Sequence, residues 1–242
     1  MGITQLNFEG ITKVEKAIAL IQAFEPPEGF YLAFSGGKDS VVLYDLTVKS
    51  GVRFDAHYCV SPIDPPQIHK FIRGHYPDVK WDFHAKGFWQ TVVKKGLPLR
   101  QARWCCQIIK EAGGKDRVVL VGNRRDEGQI RRNQKCFEAG RKHGKFFVRP
   151  ILDIDNSEVW QYIRENKLPY CDLYDMGFKR LGCVLCPFSR EIKREELFFP
   201  KIVNLWRLAC DHIIKNRLAS GKEYKHTFQT GQELFDWWID RR

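Results

Sequence analysis

Apolar positions along the chain change their period several times. Phe30-Tyr31-Leu32-Ala33-Phe34 is an unbroken apolar run of strand length. Further segments over Arg53–Tyr58, Val79–His84, Val118–Val121 and Phe146–Ile151 predict four more strands. Between them the spacing is helical. Ile11, Val14, Ile18 and Ile21 mark a helix over about Gly10–Phe24, which Pro26-Pro27 ends. Ser40–Ser50, Pro66–His75, Phe88–Lys95 and Asn156–Asn166 read as helices in the same way. Alternation of this kind predicts an α/β fold, a parallel sheet with helices on both faces. Ligands of such sheets bind beyond the C-terminal ends of the strands. After about Leu168 the texture changes. Leu168–Arg190 is turn-rich and carries three cysteines, and two helices follow, Pro200–Leu218 and Gly231–Arg242. Thr230-x-x-Glu233 reads as a capping box for the second, whose Leu234, Trp237 and Trp238 are expected to pack back on the core. The expected organisation is an α/β domain over 1–167 and a cysteine-bearing helical region over 168–242.

The loop after the first strand carries the strongest chemistry. Ser35-Gly36-Gly37-Lys38-Asp39-Ser40 lies between strand and helix. Glycines let the backbone approach phosphate oxygens, and first-turn N–H groups point at them. Lys38 adds positive charge, and Ser35 and Ser40 add hydroxyl donors. The Walker A spacing is absent. The hexapeptide instead resembles the SGGxDS loop of the PP-loop family of adenine-nucleotide enzymes, which implies a Rossmann-like sheet. Gly122-Asn123-Arg124-Arg125 follows the strand Val118–Val121 and is expected at the same sheet edge.

Composition narrows the class. With 43% hydrophobic and 29% charged residues the chain is globular rather than disordered. It has no apolar run long enough to span a membrane. Met1-Gly2-Ile3-Thr4-Gln5-Leu6 has no secretory h-region, and Leu6 breaks the myristoylation pattern, so the cytoplasm is expected. A net charge of +11 favours anionic partners. Nine Lys/Arg against three Asp/Glu over 122–149 make nucleic acid a second candidate partner beside a nucleotide. The sequence does not specify an oligomeric state.

Eight cysteines in a reducing compartment point to metal or catalysis before disulfides. Cys105-Cys106 and Cys183-x-x-Cys186 together offer four thiolates. Zinc and a [4Fe–4S] cluster compete for them. Adjacent cysteines suit the cluster better, because they can bind different irons, whereas tetrahedral zinc is closed more easily by spaced pairs. Cys59, Cys136 and Cys171 receive no role.

Further motifs resemble the phosphoadenylyl-sulfate and adenylyl-sulfate reductase family over about Phe30–Pro187. Arg103-Trp104-Cys105-Cys106-Gln107-Ile108-Ile109-Lys110 is similar to R-x-C-[CT]-x-x-x-K, and Gly122–Arg131 to G-x-R-x-x-E-S-x-x-R. Arg149-Pro150-Ile151-Leu152 through Gly182-Cys183 is similar to the run ending in G-C-x-x-C. The cysteine quartet resembles the iron–sulfur branch. The resemblance implies an adenine nucleotide (adenylyl sulfate, its 3′-phosphorylated form, or ATP) bound by Ser35–Ser40, Gly122 and Glu127. It implies Lys38, Arg124, Arg125 and Arg131 as catalytic groups, and a [4Fe–4S] cluster on Cys105, Cys106, Cys183 and Cys186. Two departures stand out. Gly128 replaces the family's Ser, and the family's E-C-G-x-H tail, which bears the nucleophilic Cys, does not occur in these 242 residues. Cys210 is the alternative nucleophile, but Trp206, Cys210 and Ile213 share a helix face, which predicts a core position. Two activities follow. One is reduction of activated sulfate to sulfite with an external thiol such as thioredoxin. The other is ATP-dependent sulfur transfer, of the nucleic-acid thiolation or phosphorothioation type, at the same loop and cluster.

Overall fold

The computed structural model describes residues 10–140, 143–220 and 228–240. Met1–Leu6, Arg141, Lys142, Arg241 and Arg242, all read above, lie outside them. In chain order the elements are α1 (Lys13–Ala23), β1 (Phe30–Ala33), α2 (Lys38–Ser50), β2 (Phe54–Cys59), α3 (Pro66–His75), β3 (Lys80–Asp82), α4 (Phe88–Lys95), α5 (Trp104–Ile109) and β4 (Val118–Leu120). Then come α6 (Gln129–Arg132), β5 (Phe137–Ala139), β6 (Phe146–Val148), α7 (Asn156–Glu165), α8 (Ile192–Phe198), α9 (Pro200–Ser220) and α10 (Gly231–Asp240). Among the described residues no helix is long and apolar enough to cross a membrane.

The chain divides into two compact units, each taken here by itself. The first comprises the described residues up to Cys59, Pro66–Asp82 and Ala112–Leu181. Its sheet has the order β3-β2-β1-β4-β6-β5. All neighbouring strands run parallel except β5, which is antiparallel to β6. The fold is therefore the α/β sheet the pattern predicts, flanked by helices, with one antiparallel edge strand added. β1 sits in the middle, paired with β2 and β4. That explains its unbroken apolar run, because a central parallel strand is covered on both faces. The predicted strand Phe146–Ile151 stops at Val148. There the Arg149 N–H turns to the Cys136 carbonyl (2.8 Å), and Pro150 has no N–H to continue a ladder.

Caps set the helix starts. Thr12 and Glu15 form a capping box, so α1 begins at Lys13 rather than Gly10. Asp155 and Glu158 do the same for α7. The left-handed Gly51 closes α2.

The second unit is Val60–Pro65, Phe83–Glu111 and the described residues from Gly182 onward. A single cut near Leu168 does not describe this division, because Phe83–Glu111 groups with the C-terminal helices. The reason is aromatic. Phe88 of α4 stands 5.8 Å from Trp104 and 5.9 Å from Trp206, and Trp206 packs 4.7 Å from Trp238. The Trp238 indole N–H donates to the Pro98 carbonyl at 2.8 Å. Leu234 and Trp238 are buried, as the sequence predicts, while Trp237 is half-buried against Phe228. Thr230 caps α10 by accepting from the Glu233 N–H (3.2 Å), but the Glu233 carboxylate accepts from Gln229 rather than closing the box.

α9 and α10 approach closely at Gly231. A Cβ there would stand 2.6 Å from the Asp211 backbone nitrogen. Gly231→Ala is expected to destabilise the protein by about 1–3 kcal/mol, as overpacking does. An unchanged urea midpoint would show that the helices are not so tightly apposed.

Candidate functional site

In the first unit the strand order reverses between β1 and β4, the place where doubly wound sheets bind ligands. The Ser35–Ser40 loop leaves β1 there, and Gly122 follows β4. Gly36 has φ +71°, and a Cβ on it would meet Ile68 at 3.0 Å, so glycine is required on two counts. The Ser40 hydroxyl donates to the Gly37 carbonyl (2.7 Å) and accepts from the Ser35 N–H (3.2 Å). The Ser35 hydroxyl accepts from the Gly37 N–H at 3.3 Å. These bonds fold the loop over the start of α2.

Lys38 is 5% exposed, with its ammonium 3.1 Å from Asp39. Burial pushes it below the ordinary lysine range, against the pull of Asp39. Its backbone N–H donates to the Tyr174 hydroxyl at 2.9 Å. Tyr174 is 136 residues away, and no local pattern signals this contact.

Asp39 links the loop to the β4 exit. Its carboxylate receives the Arg124 Nε at 2.6 Å. Arg124 is 3% exposed and also reaches Asp126 (3.2 Å) and the Ile154 carbonyl (3.4 Å). The Arg124 N–H donates to Glu127 at 3.0 Å, and Glu127 pairs with Arg131. Gly122 lies so close to α2 that a Cβ would meet the Asp39 carbonyl at 3.1 Å. The structure thus gathers Ser35, Gly36, Gly37, Lys38, Asp39, Ser40, Gly122, Arg124, Glu127 and Arg131 into one connected set. Arg125 turns elsewhere, to Asp153 (2.6 Å) and the Gln134 carbonyl (3.0 Å). Tyr174, Asp126 and the Ile154 carbonyl are the site groups that sequence reading missed.

The four cluster-motif cysteines all belong to the second unit. α5 begins at Trp104, so Cys105 and Cys106 stand in its first turn. Cys183 and Cys186 bracket a β-turn closed by the Cys186 N–H to the Cys183 carbonyl (3.3 Å). None of them is in a disulfide. Their charges act on one another. The Cys105 thiol is held up by its hydrogen bond to Cys106, by burial, and by Cys106, Cys183 and Cys186. The Cys106 thiol is brought down, first by the bond from Cys105 and then by Lys110 and Arg103 acting against burial. Cys183, followed by Asp64, Cys106 and Cys186, pulls Lys110 above the lysine range against burial. Ser61 stands 3.6 Å from the Cys183 sulfur. Burial holds the Cys183 thiol up as well, so of these three thiols only Cys106 is brought down; the four cysteine sulfurs are soft donors that would have to lose their protons to hold an iron–sulfur cluster. Cys210 is fully buried beside Trp206, in the core position its spacing predicts.

Residues 29–189 match the phosphoadenosine phosphosulfate reductase domain. The chain belongs to this family. It is 25% identical over 211 residues to the adenosine 5′-phosphosulfate reductase of Staphylococcus haemolyticus, covering 76% of this chain and 85% of that protein. It is 32% identical over 173 residues to a probable FAD synthase of Schizosaccharomyces pombe, covering 67% and 62%. The crystal structure of the Candida auris phosphoadenylyl-sulfate reductase is similar in fold, with TM-score 0.55, 20% identity, and coverage of 75% of this chain and 98% of that one. The chain spans 43% and 46% of the lengths of two uncharacterised relatives from Methanocaldococcus jannaschii.

The arginines of this family member separate experimentally. Arg124→Ala leaves the Asp39 carboxylate without its buried partner and is expected to cost about 3–5 kcal/mol of stability. Arg131→Ala removes a more exposed pair and is expected to cost at most about 1 kcal/mol. Equal urea midpoints for the two variants would refute the assignment of Arg124 as the buried strut.

Proposed function

We propose that the chain is an adenylyl-sulfate-type reductase that binds an adenosine phosphosulfate at the Ser35–Ser40 loop and uses a thiol from outside these 242 residues. The observation that carries this reading is the built anion cradle of the Ser35–Ser40 loop in a member of this family. The Gly36-Gly37 backbone, the Ser35 and Ser40 hydroxyls and Lys38 hold the phosphate. The attacking thiolate forms a sulfur–sulfur bond to the sulfate sulfur, the bond from that sulfur to the bridging oxygen breaks, and its electron pair leaves with adenosine monophosphate. A second thiol then attacks the sulfonated one, forming a disulfide and releasing sulfite. Lys38 is the group aimed at the charge that grows on the leaving phosphate. Arg124 is a positioning residue acting through Asp39, Arg131 adds positive potential beside Glu127, and Arg125, tied to Asp153, takes no part. Cys105, Cys106, Cys183 and Cys186 are the residues that would hold a [4Fe–4S] cluster, which would supply fixed charge. Full burial of Cys210 favours an outside thiol over an internal one.

The second reading, ATP-dependent sulfur transfer, draws on the basic stretch 122–149, which offers nucleic acid as the acceptor.

Anaerobically prepared protein is expected to carry about four irons and four sulfides per chain. Stoichiometric zinc without broad visible absorption would remove the cluster from this reading. Loaded protein given adenylyl sulfate and a dithiol or thioredoxin is expected to release sulfite. Lys38→Ala is expected to weaken nucleotide binding by about ten- to a hundredfold, the worth of a charge-assisted bond. Pyrophosphate released from ATP, with no sulfite from either adenosine phosphosulfate, would overturn reduction in favour of sulfur transfer.

A further inference from the structure

The turn between Cys183 and Cys186 has an unusual backbone. Leu185 has φ +55°, at the third position of the β-turn, where glycine or asparagine is ordinarily needed. Its side chain is fully buried, which accounts for a leucine there in spite of the backbone. A strained non-glycine turn persists only when its surroundings hold it. Both central amides are held. The Val184 N–H donates to the Ile63 carbonyl at 2.7 Å. The Leu185 N–H donates to the Glu195 carboxylate at 2.7 Å, and the other oxygen of Glu195 accepts from the Ser189 hydroxyl at 2.5 Å. Downstream, the Ser189 N–H donates to the Cys186 carbonyl (2.8 Å), and Arg100 donates to the Pro187 carbonyl (2.8 Å). Glu195 lies in α8, beyond the residues that match the family.

We propose that Glu195 is a positioning residue that clamps the Cys183–Cys186 turn in its left-handed form and so presets the two thiols as ligands. One carboxylate spans the strained amide and the hydroxyl that follows the second cysteine. Without it the turn relaxes toward ordinary φ and the two sulfurs lose their fixed relation. The metal-ligand part of the proposal rests on the cluster reading given above; the clamp on the backbone does not.

The test compares wild type, Glu195→Ala, Glu195→Gln and Ser189→Ala, each as the full chain. The first readout is the rate of iron loss to a chelator, followed by the decay of visible absorption. Glu195→Ala is expected to lose iron about 10–100-fold faster than wild type, the usual effect of removing a group that orients a metal ligand. Glu195→Gln keeps an acceptor for the Leu185 N–H and is expected to recover most of the lifetime, with Ser189→Ala in between. The second readout is hydrogen exchange at the Leu185 amide in metal-free protein. Exchange is expected to be faster in Glu195→Ala and near wild type in Glu195→Gln. Iron retention and Leu185 exchange both unchanged in Glu195→Ala would overturn the proposal. If wild type binds no iron, the cluster reading fails, and the exchange comparison alone decides whether Glu195 holds the turn. Should Glu195→Ala not fold, Glu195→Gln and Ser189→Ala carry both measurements: slower iron loss and exchange in Glu195→Gln than in Ser189→Ala support the clamp, and the reverse order overturns it.

Discussion

A buried guanidinium organises the loop after β1. Removing a charged group from water costs several kcal/mol unless its partners are close and well aligned. Arg124 meets that demand with Asp39 at the start of α2, Asp126 in the turn after β4, and the Ile154 carbonyl just before α7. These groups come from different parts of the chain, so satisfying one cation fixes the relative positions of three segments. Asp126 is used twice, since it also accepts from the first N–H of α7 at 3.1 Å. Glu158, the capping residue of that helix, then takes Lys13 of α1 at 2.7 Å. Ion pairs thus join Lys38, Asp39, Arg124 and Asp126, and the start of α7 links Asp126 to the Glu158–Lys13 pair.

Much of this was legible in the sequence because it is local. A strand, Gly36-Gly37, and a helix opening at Lys38 are written into adjacent residues, and the loop chemistry follows from them. The apolar run of β1 announced a central strand. Pro66–His75 and Phe88–Lys95 were read to the residue because their apolar spacing is regular. What escaped depends on partners far away in the chain. Nothing near Tyr174 says that its hydroxyl takes the Lys38 N–H. The resemblance implies the same catalytic role for Arg124 and Arg131, yet one is buried as a strut and the other is paired one helical turn from its carboxylate. The short α5 and α8 carry too few turns to show a period. The grouping of Phe83–Glu111 with the C-terminal helices was equally hidden, because it rests on Phe88 and Trp104 finding Trp206.

The thiol quartet was legible as a donor set but not as an environment. Two pairs of cysteines give number and softness, which narrow the metal to zinc or iron–sulfur. The structure adds charge and shape. Lys110 and Arg103 lie where four thiolates need compensation, and Asp64 enters the same neighbourhood with the opposite sign. That balance matters, because a site with four thiolates and no cation would resist deprotonation, and metal affinity follows deprotonation. The Cys183–Cys186 turn adds the shape. Its left-handed leucine is a conformation the chain would not hold alone.

The family assignment leaves one chemical question, and it concerns the nucleophile. A loop that binds the phosphate of an adenosine phosphosulfate uses the same donors that bind the phosphates of ATP, so the cradle alone does not choose the reaction. The choice lies in what attacks. For attack on sulfur a thiolate must reach the bound nucleotide. Cys210 is fully enclosed in the second unit's core, out of reach of a bound nucleotide. Exposing it would mean opening the helix that also carries Trp206 and Ile213, at the expense of the unit's aromatic core. On the reductase reading Cys210 is therefore not the attacking group, whereas the cradle, with its buried lysine and strut, would serve either reaction alike.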